Sequence, residues 1–277
     1  MELNLHLKSI RNCNLPTALH IAHEAGFTGV EMADHMLTEY LQAGFTVEDI
    51  KELLARYQIR VVSINDVLGV ERMGLMERQK ACGQMKLFAG IAEEIGCGRI
   101  QVCPLCDLEG LPLRKIIENT AHNIRMLADI AAPHGVSLQI ETVAWSPIHS
   151  LRLGRELIEE AGRRNLGITI DFWHLWAAGE TTPEELAEFD PRWMGNVHFC
   201  DGLKPDAGMP WDENVQRGVL PGEGEIPLQE WVDAVTASGF HGAWSYELIS
   251  AKHWVCDSIA LARQLCQGMR RYLKDRT

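Results

Sequence analysis

The sequence predicts a (β/α)8 barrel, the TIM-barrel fold, formed by a single α/β domain over residues 1–277. Short runs rich in β-branched and apolar residues alternate with longer amphipathic stretches along the whole chain, which is typical of βα units that build a parallel sheet. The length of 277 residues suits one barrel, since such domains have about 250 residues. In this fold the catalytic groups lie at the carboxyl ends of the strands.

Eight strands and eight helices are expected to alternate in order. The strands are expected at residues 3–7, 28–32, 60–65, 99–104, 136–141, 166–171, 195–200 and 242–248. The helices are expected near residues 15–25, 46–57, 73–96, 112–134, 150–164, 182–189, 226–238 and 251–273. Thr46, Ser150 and Thr182 are typical residues for the start of a helix, because their hydroxyls can accept hydrogen bonds from its first backbone N–H groups.

Composition and charge favour an enzyme that acts on a small molecule. The chain is 46% hydrophobic and 23% charged, as in ordinary globular proteins. A net charge of −12 argues against nucleic-acid binding, which usually needs a basic surface. No apolar run approaches the roughly 18 residues of a membrane span, and the first residues do not resemble a secretory signal. We therefore expect no membrane partner and a cytoplasmic location.

The cysteines predict no structural zinc site. Eight are scattered along the chain, at positions 13, 82, 97, 103, 106, 200, 256 and 266. Only Cys103 and Cys106 are closely spaced, whereas a structural zinc site usually needs a second such pair. We expect these side chains to be buried, reduced thiols.

Four residues suited to bind a metal stand at the ends of four successive predicted strands. They are Glu141, Asp171, His198 and Glu247. Successive side chains of a strand point to opposite faces. The positions on the same face as these four are small or polar, as in Ser137, Gln139, Gly167, Thr169, Asn196, Ala243 and Ser245. The opposite faces are apolar, so we expect all four residues to face one shared barrel interior.

This donor set predicts a catalytic centre for one divalent metal ion. Three carboxylates and an imidazole, without a thiolate, favour Mn²⁺, Mg²⁺, Co²⁺ or Zn²⁺. Four protein ligands leave positions open for two substrate oxygens. A metal that polarises a carbonyl acidifies the neighbouring C–H group, so a carboxylate can remove that proton and form a metal-bound enediolate. Glu141 and Glu247 are the candidates for this proton transfer.

Other polar and aromatic residues near the strand ends are candidates for contact with the substrate. The set consists of His174, Arg217, Asp201, Trp145 and Asn65. The guanidinium of Arg217 offers a fixed fork of hydrogen-bond donors, and His174 lies three residues after Asp171. His6 and Glu31 stand near early strand ends and could line the same pocket. The long loop over residues 201–225 is expected to cover the site.

With these residues placed, the chain resembles the xylose isomerase-like TIM barrel superfamily, which includes the sugar phosphate isomerase/epimerase family. The similarity rests on a series of short motifs. They are Glu141, Asp171-Phe172-Trp173-His174, His198-Phe199-Cys200-Asp201, Arg217 with Gly222-Glu223-Gly224, and Glu247. Their order and spacing match over roughly residues 130 to 250. The resemblance implies a metal-dependent enzyme that transfers protons on sugars.

Within the superfamily, the segments AAPHGVSLQIETV, LGITIDFWHLWAAG, RGVLPGEGEIPL and SGFHGAWSYEL are similar to the inosose (2-keto-myo-inositol) isomerases. This likeness implies an isomerase or epimerase that acts on a keto-polyol. Ketose 3-epimerases carry a further glutamate where this chain has Pro147. Endonuclease IV carries an aspartate and a histidine where Gln216 and Gly218 stand. Both departures argue against those two activities.

Two other functions remain open on the sequence. A related dehydratase, acting on an inosose or on 3-dehydroshikimate, would use the same metal and base but expel a β-hydroxyl group. A non-catalytic subunit could retain the metal for structure and bind a sugar or a protein partner. Barrels of this kind are often dimers or tetramers, so a homo-oligomer is a further alternative.

Overall fold

The computed structural model describes residues 2–105, 108, 110–206 and 208–273. Eight parallel strands form a closed barrel in chain order, and the last strand pairs with the first. The strands are β1 (Leu3–His6), β2 (Gly29–Ala33), β3 (Arg60–Leu68), β4 (Arg99–Cys103), β5 (Ser137–Glu141), β6 (Leu166–Asp171), β7 (Met194–Phe199) and β8 (Ala243–Tyr246). The prediction of a (β/α)8 barrel is therefore confirmed.

The helices surround this barrel. They are α1 (Leu15–Ala25), α2 (Asp34–Gln42), α3 (Val47–Tyr57), α4 (Leu75–Ile95), α5 (Leu113–Ala131), α6 (Leu151–Ala161), α7 (Phe172–Ala178), α8 (Pro183–Glu188), α9 (Glu213–Gln216), α10 (Leu228–Ala237) and α11 (Ser258–Leu273). Short 3-10 turns occupy Leu7–Ile10, Ala132–His134, Pro191–Trp193 and His253–Val255. In the described part of the chain, no helix combines the length and apolar character needed to cross a bilayer.

The predicted helix starts at Thr46, Ser150 and Thr182 are confirmed. Each side chain accepts a hydrogen bond from the backbone N–H three residues later. At Thr46 and Thr182 the third helical residue also bonds back to the backbone of the cap, which completes a capping box. Such caps satisfy N–H groups that the helix leaves without partners.

Three helices lie where the sequence predicted only loops, namely α2, α7 and α9. The first turn of α7 is buried all round, so it lacks the alternation of apolar and polar faces that reveals a surface helix. The other two have 9 and 4 residues. The last helix begins at Ser258 rather than near residue 251, and β3 runs on to Leu68, three residues past its predicted end.

The predicted direction of the strand side chains is confirmed by contacts across the barrel interior. Gln139 donates to the hydroxyl of Ser63 at 2.9 Å, and Thr169 donates to the side-chain oxygen of Gln101 at 3.3 Å. The opposite faces of the strands are apolar and buried. The barrel thus has a polar interior that leads to the carboxyl ends of the strands.

Of the described cysteines, four are buried and all are free thiols. Cys256 is exposed, contrary to the expectation of burial, because it follows the 3-10 turn that replaces the predicted start of the last helix. Cys106 lies outside the described residues.

Candidate metal centre

The four predicted metal-binding residues converge at the carboxyl end of the barrel. One ligand atom from each of Glu141, Asp171, His198 and Glu247 lies within 4.8 Å of the others. Nδ1 of His198 is 3.2 Å from a carboxylate oxygen of Glu141, 3.2 Å from one of Glu247 and 3.5 Å from one of Asp171. All four residues are buried. Strands β5 and β6 end at Glu141 and Asp171, so the barrel itself sets their spacing.

The pKa values of the three carboxylates are shifted because these groups are buried and close together. Burial, with the nearby charge of Glu247, raises the pKa of Glu141 to about 7. Burial would also raise the pKa of Glu247, but the charges of Arg217 and the nearby histidines hold it well below its usual value. Burial likewise opposes ionisation of Asp171, yet Arg217 brings its pKa down to about 2. Such a concentration of negative charge suits a dication.

The donor set fits a divalent metal. It supplies carboxylate oxygens and one imidazole nitrogen, the ligands preferred by ions between Mg²⁺ and Zn²⁺ in hardness. The two nitrogens of His198 face different partners. Nδ1 points at the three carboxylates, whereas Nε2 lies 3.3 Å from Glu31. A single imidazole can therefore bind a metal on one side and a supporting carboxylate on the other.

Arg217 is built into the wall of the site. One terminal nitrogen donates to Asp171 at 2.8 Å and to Glu247 at 2.6 Å. The other donates to Glu213 at 2.8 Å and lies 3.2 Å from the ring of His174. Only 1% of Arg217 is exposed. The sequence suggested that this residue contacts a substrate. In the structure its guanidinium is hydrogen-bonded to two of the candidate metal ligands.

His174 and Trp145, which the sequence suggested as substrate contacts, lie beside these residues. Nδ1 of His174 accepts the backbone N–H of Ala144 at 3.2 Å, and burial lowers the pKa of this imidazole to about 4. The ring is therefore neutral near pH 7. The rings of Trp145 and His174 meet edge to face with centroids 5.3 Å apart. Together they form an aromatic wall with Trp173 and Trp211.

A cavity of about 350 Å³ lies at the site, and two of the four residues line it. This volume is at the small end of the range for ligand pockets. Besides the carboxylates Glu141 and Glu247, its lining includes His174 and Arg217. Further lining residues come from both halves of the chain: Lys8, Asp66, Cys103, Trp145, Glu213 and Trp254.

Several of these cavity residues were not predicted from the sequence. Lys8 and Asp66 form an ion pair at 3.0 Å. The sulfur of Cys103 lies 3.4 Å from a carboxylate oxygen of Asp66 and 3.4 Å from one of Glu141, either of which can accept its one S–H hydrogen. A signal was available for two of them, since Cys103 lies within a predicted strand end and Asp66 directly follows another. Asp66 was overlooked because β3 is longer than predicted. Glu213 was overlooked because it belongs to the short helix α9.

Two candidate residues lie away from the cavity lining. The carboxylate of Asp201 accepts backbone N–H groups of residues 202, 222, 224 and 226. It therefore fixes the Gly-Glu-Gly segment, where a side chain at Gly224 would collide with Asp201. Asn65 is fully buried, with its amide 2.9 Å from the ring of His6. Both residues support the site from within the protein.

Comparison with known proteins identifies the class. A family model described as the xylose isomerase-like TIM barrel matches residues 19–272, which is most of the chain. This protein therefore belongs to the xylose isomerase-like TIM barrel family. The resemblance predicted from the sequence motifs is confirmed.

Individual relatives include enzymes of two types. An inosose isomerase of Bacillus velezensis is 23% identical over 249 residues, which cover 89% of this chain and 87% of that protein. A 3-dehydroshikimate dehydratase of Pseudomonas aeruginosa is 24% identical over 241 residues, which cover 85% of this chain but 36% of that longer protein.

Solved structures confirm the same fold. A crystal structure of the IOLI protein with a bound zinc atom covers 100% of this chain with a TM-score of 0.91 and 20% identity. D-psicose 3-epimerase from Clostridium cellulolyticum, solved with D-tagatose, covers 99% of this chain with a TM-score of 0.76 and 13% identity.

Proposed function

We propose that this protein is a divalent-metal-dependent isomerase of neutral keto-polyols and that an inosose is its substrate. The observation that carries the proposal is the convergence of Glu141, Asp171, His198 and Glu247 within 4.8 Å. Glu141 and Glu247 also line a cavity of about 350 Å³. That space accommodates a single six-carbon ring. The similarity to inosose isomerases supports the same substrate class.

Isomerisation moves one proton between neighbouring carbons. A metal held by the four residues would polarise the substrate carbonyl and acidify the adjacent C–H group. Glu141 or Glu247 takes that proton, which leaves an enediolate, and returns it to the former carbonyl carbon. The hydroxyl proton passes to the former carbonyl oxygen, so the carbonyl and the hydroxyl exchange places. No atoms are gained or lost.

Other residues of the cavity bind the substrate and exclude water. The positive charge of Arg217 can stabilise a developing oxyanion electrostatically while its guanidinium stays paired with Asp171 and Glu247. The neutral ring of His174 lines the cavity beside Arg217. Trp145 and Trp254 close the sides of the cavity with flat apolar surfaces suited to the C–H faces of a polyol ring.

Lys8 and Arg217, two of the three described lysine and arginine residues that line the cavity, are already paired with carboxylates, which favours a neutral substrate beside them. The third, Arg11, lies over the ring of Trp254. Lys8 is paired with Asp66, and Arg217 is paired with three carboxylates. A substrate carboxylate, as in 3-dehydroshikimate, would have to compete with these partners at close range. This observation favours the isomerase over the 3-dehydroshikimate dehydratase.

The proposal can be tested by proton NMR in D2O with the Zn²⁺-loaded or Mg²⁺-loaded protein and a panel of inososes, ketoses and 3-dehydroshikimate. We expect deuterium to enter the carbon next to the carbonyl of an inosose as a new isomer appears. The chelated protein should show neither change.

Other results of this assay would replace the proposal. A vinyl signal with loss of a hydroxyl group would establish a dehydratase. Binding of a metal and a sugar that raises the melting temperature without any chemistry would establish a binding subunit.

A further inference from the structure

A second cluster of buried polar residues adjoins the candidate metal ligands on the Nε2 side of His198. Ligand atoms of His6, Glu31 and His198 lie within 4.8 Å of one another, and all three residues are fully buried. The cluster shares His198 with the four-residue site. It is therefore either a second metal site or a support for the first, and the hydrogen bonds of the two imidazoles distinguish these roles.

The hydrogen bonds of His6 leave it no lone pair for a metal in this cluster. Its Nδ1 is 3.2 Å from the backbone nitrogen of Lys8, and a backbone N–H group can only donate. Nδ1 is therefore the acceptor, and the ring carries its proton on Nε2. That N–H group faces Glu247 at 3.3 Å. The side-chain amide of Asn65, 2.9 Å away, can turn its oxygen to the same proton.

His198 has the opposite arrangement of partners. Its Nδ1 faces Glu141, Asp171 and Glu247, while its Nε2 lies 3.3 Å from both oxygens of Glu31. Glu31 is held in turn by the amide of Asn196, which donates to it at 3.0 Å. An ionised carboxylate can only accept hydrogen bonds, so Glu31 stabilises the form of His198 that carries its proton on Nε2.

We propose that Glu31 is the positioning residue of the metal centre: it accepts the Nε2–H of His198 and thereby turns the Nδ1 lone pair toward the metal. Glu31 would touch neither the metal nor the substrate. His6 acts in the same way on Glu247, because its Nε2–H occupies one carboxylate oxygen and leaves the other for the metal. This inference rests on the proposed metal-dependent function.

A Mn²⁺ titration followed by electron paramagnetic resonance tests the proposal without measuring turnover. The Glu31→Gln variant keeps the size of the side chain but loses its charge. We expect it to bind Mn²⁺ about 10- to 100-fold more weakly than the unaltered protein, as for other residues that orient a metal-bound histidine. Glu71→Gln is the matched control, since Glu71 is equally buried but lies outside both clusters. Its affinity should not change.

Three outcomes of the titration would contradict the inference, and they can be told apart. Equal affinities of the two variants would show that Glu31 does not position His198. Two bound equivalents in the unaltered protein, with one lost in Glu31→Gln, would show a second metal site instead. No binding to the unaltered protein would overturn the proposed function as well.

A second measurement needs no variant at Glu31. In the Zn²⁺-loaded protein labelled with ¹⁵N-histidine, long-range proton–nitrogen spectra report which ring nitrogen carries a proton. The His198 signals can be assigned by their loss in His198→Asn. We expect the proton on Nε2 and the metal on Nδ1. A proton on Nδ1 of His198 would overturn the proposal.

Discussion

The two halves of the barrel supply different parts of the site. All four candidate metal ligands stand at the ends of β5 to β8, in the second half of the chain. The first half supplies residues that contact those ligands or line the cavity, namely His6, Lys8, Glu31, Asp66 and Cys103. Because β1 pairs with β8, the closed barrel brings the two sets together. The half that supplies the four candidate ligands is thus distinct in sequence from the half that supplies His6 and Glu31, which contact two of them.

The largest expected effect lies in the second half. Glu247→Gln removes a candidate ligand and proton carrier, so we expect turnover of an inosose to fall by about 10²–10⁴-fold. Deuterium incorporation in D2O measures this loss. Glu230→Gln, an exposed change in the first turn of α10, serves as the control. Unchanged deuterium incorporation in Glu247→Gln would exclude a role for this carboxylate.

A large effect is also expected at Arg217, which holds two of the ligands. Arg217→Met leaves Asp171 and Glu247 buried without this partner, which should lower the free energy of unfolding of the metal-free protein by about 3–5 kcal/mol. Saturating Zn²⁺ should restore part of the loss, because the dication offsets the same charges. Urea denaturation without Zn²⁺ measures the loss in the free energy of unfolding, and denaturation with Zn²⁺ measures how much of it is restored.

Arg217→Lys is the matched variant for this test. It keeps the positive charge but not the fork of donors, so its stability should lie between that of the unaltered protein and that of Arg217→Met. If Arg217→Met were as stable as the unaltered protein without metal, the charge balance described for the site would be wrong.

The candidate ligands of the second half were easier to predict from the sequence than the supporting residues of the first half. Glu141 and Asp171 end strands whose alternating pattern is regular, so parity placed both in the interior. Glu31 lies in β2, which is buried at every residue, as is β6. The position of Glu31 near the strand end was compatible with the pocket, but strand parity does not reveal which residue it contacts. Its role depends on the distance to Nε2 of His198, a contact between residues 167 positions apart. Local patterns do not contain such contacts.

Asp201 illustrates the same limit in the second half. Its spacing after His198 suggested contact with a substrate, but its carboxylate is occupied by backbone N–H groups of a loop about 20 residues further on. The motif was recognised correctly, while the role of this member depended on the path of the loop.

A moderate effect is expected in the first half, at Lys8. Lys8→Met removes the partner of Asp66 at the cavity wall, so substrate binding should weaken. We expect KM to rise about tenfold, which corresponds to about 1.4 kcal/mol, with little change in Mn²⁺ affinity. Steady-state kinetics measure the change in KM, and a metal titration measures the Mn²⁺ affinity. Loss of metal affinity in this variant would contradict the division of roles between the halves.

The smallest effect on chemistry is expected at Asp201. Asp201→Asn keeps one acceptor oxygen but weakens the backbone hydrogen bonds of the loop, which should lower the free energy of unfolding by about 1–3 kcal/mol. Turnover at a temperature well below the melting point should change by less than about threefold, since the side chain lies outside the cavity lining. A loss of turnover as large as that of Glu247→Gln would instead place Asp201 in the reaction.

We expect one metal ion to bind at the ends of β5 to β8, while the buried cluster of His6, Glu31 and His198 only orients its ligands. Anomalous diffraction from a crystal grown with Zn²⁺ tests this directly. We expect a single peak about 2.0–2.2 Å from Nδ1 of His198 and from oxygens of Glu141, Asp171 and Glu247. A peak between His6, Glu31 and Nε2 of His198, or no peak at the four residues, would contradict the account.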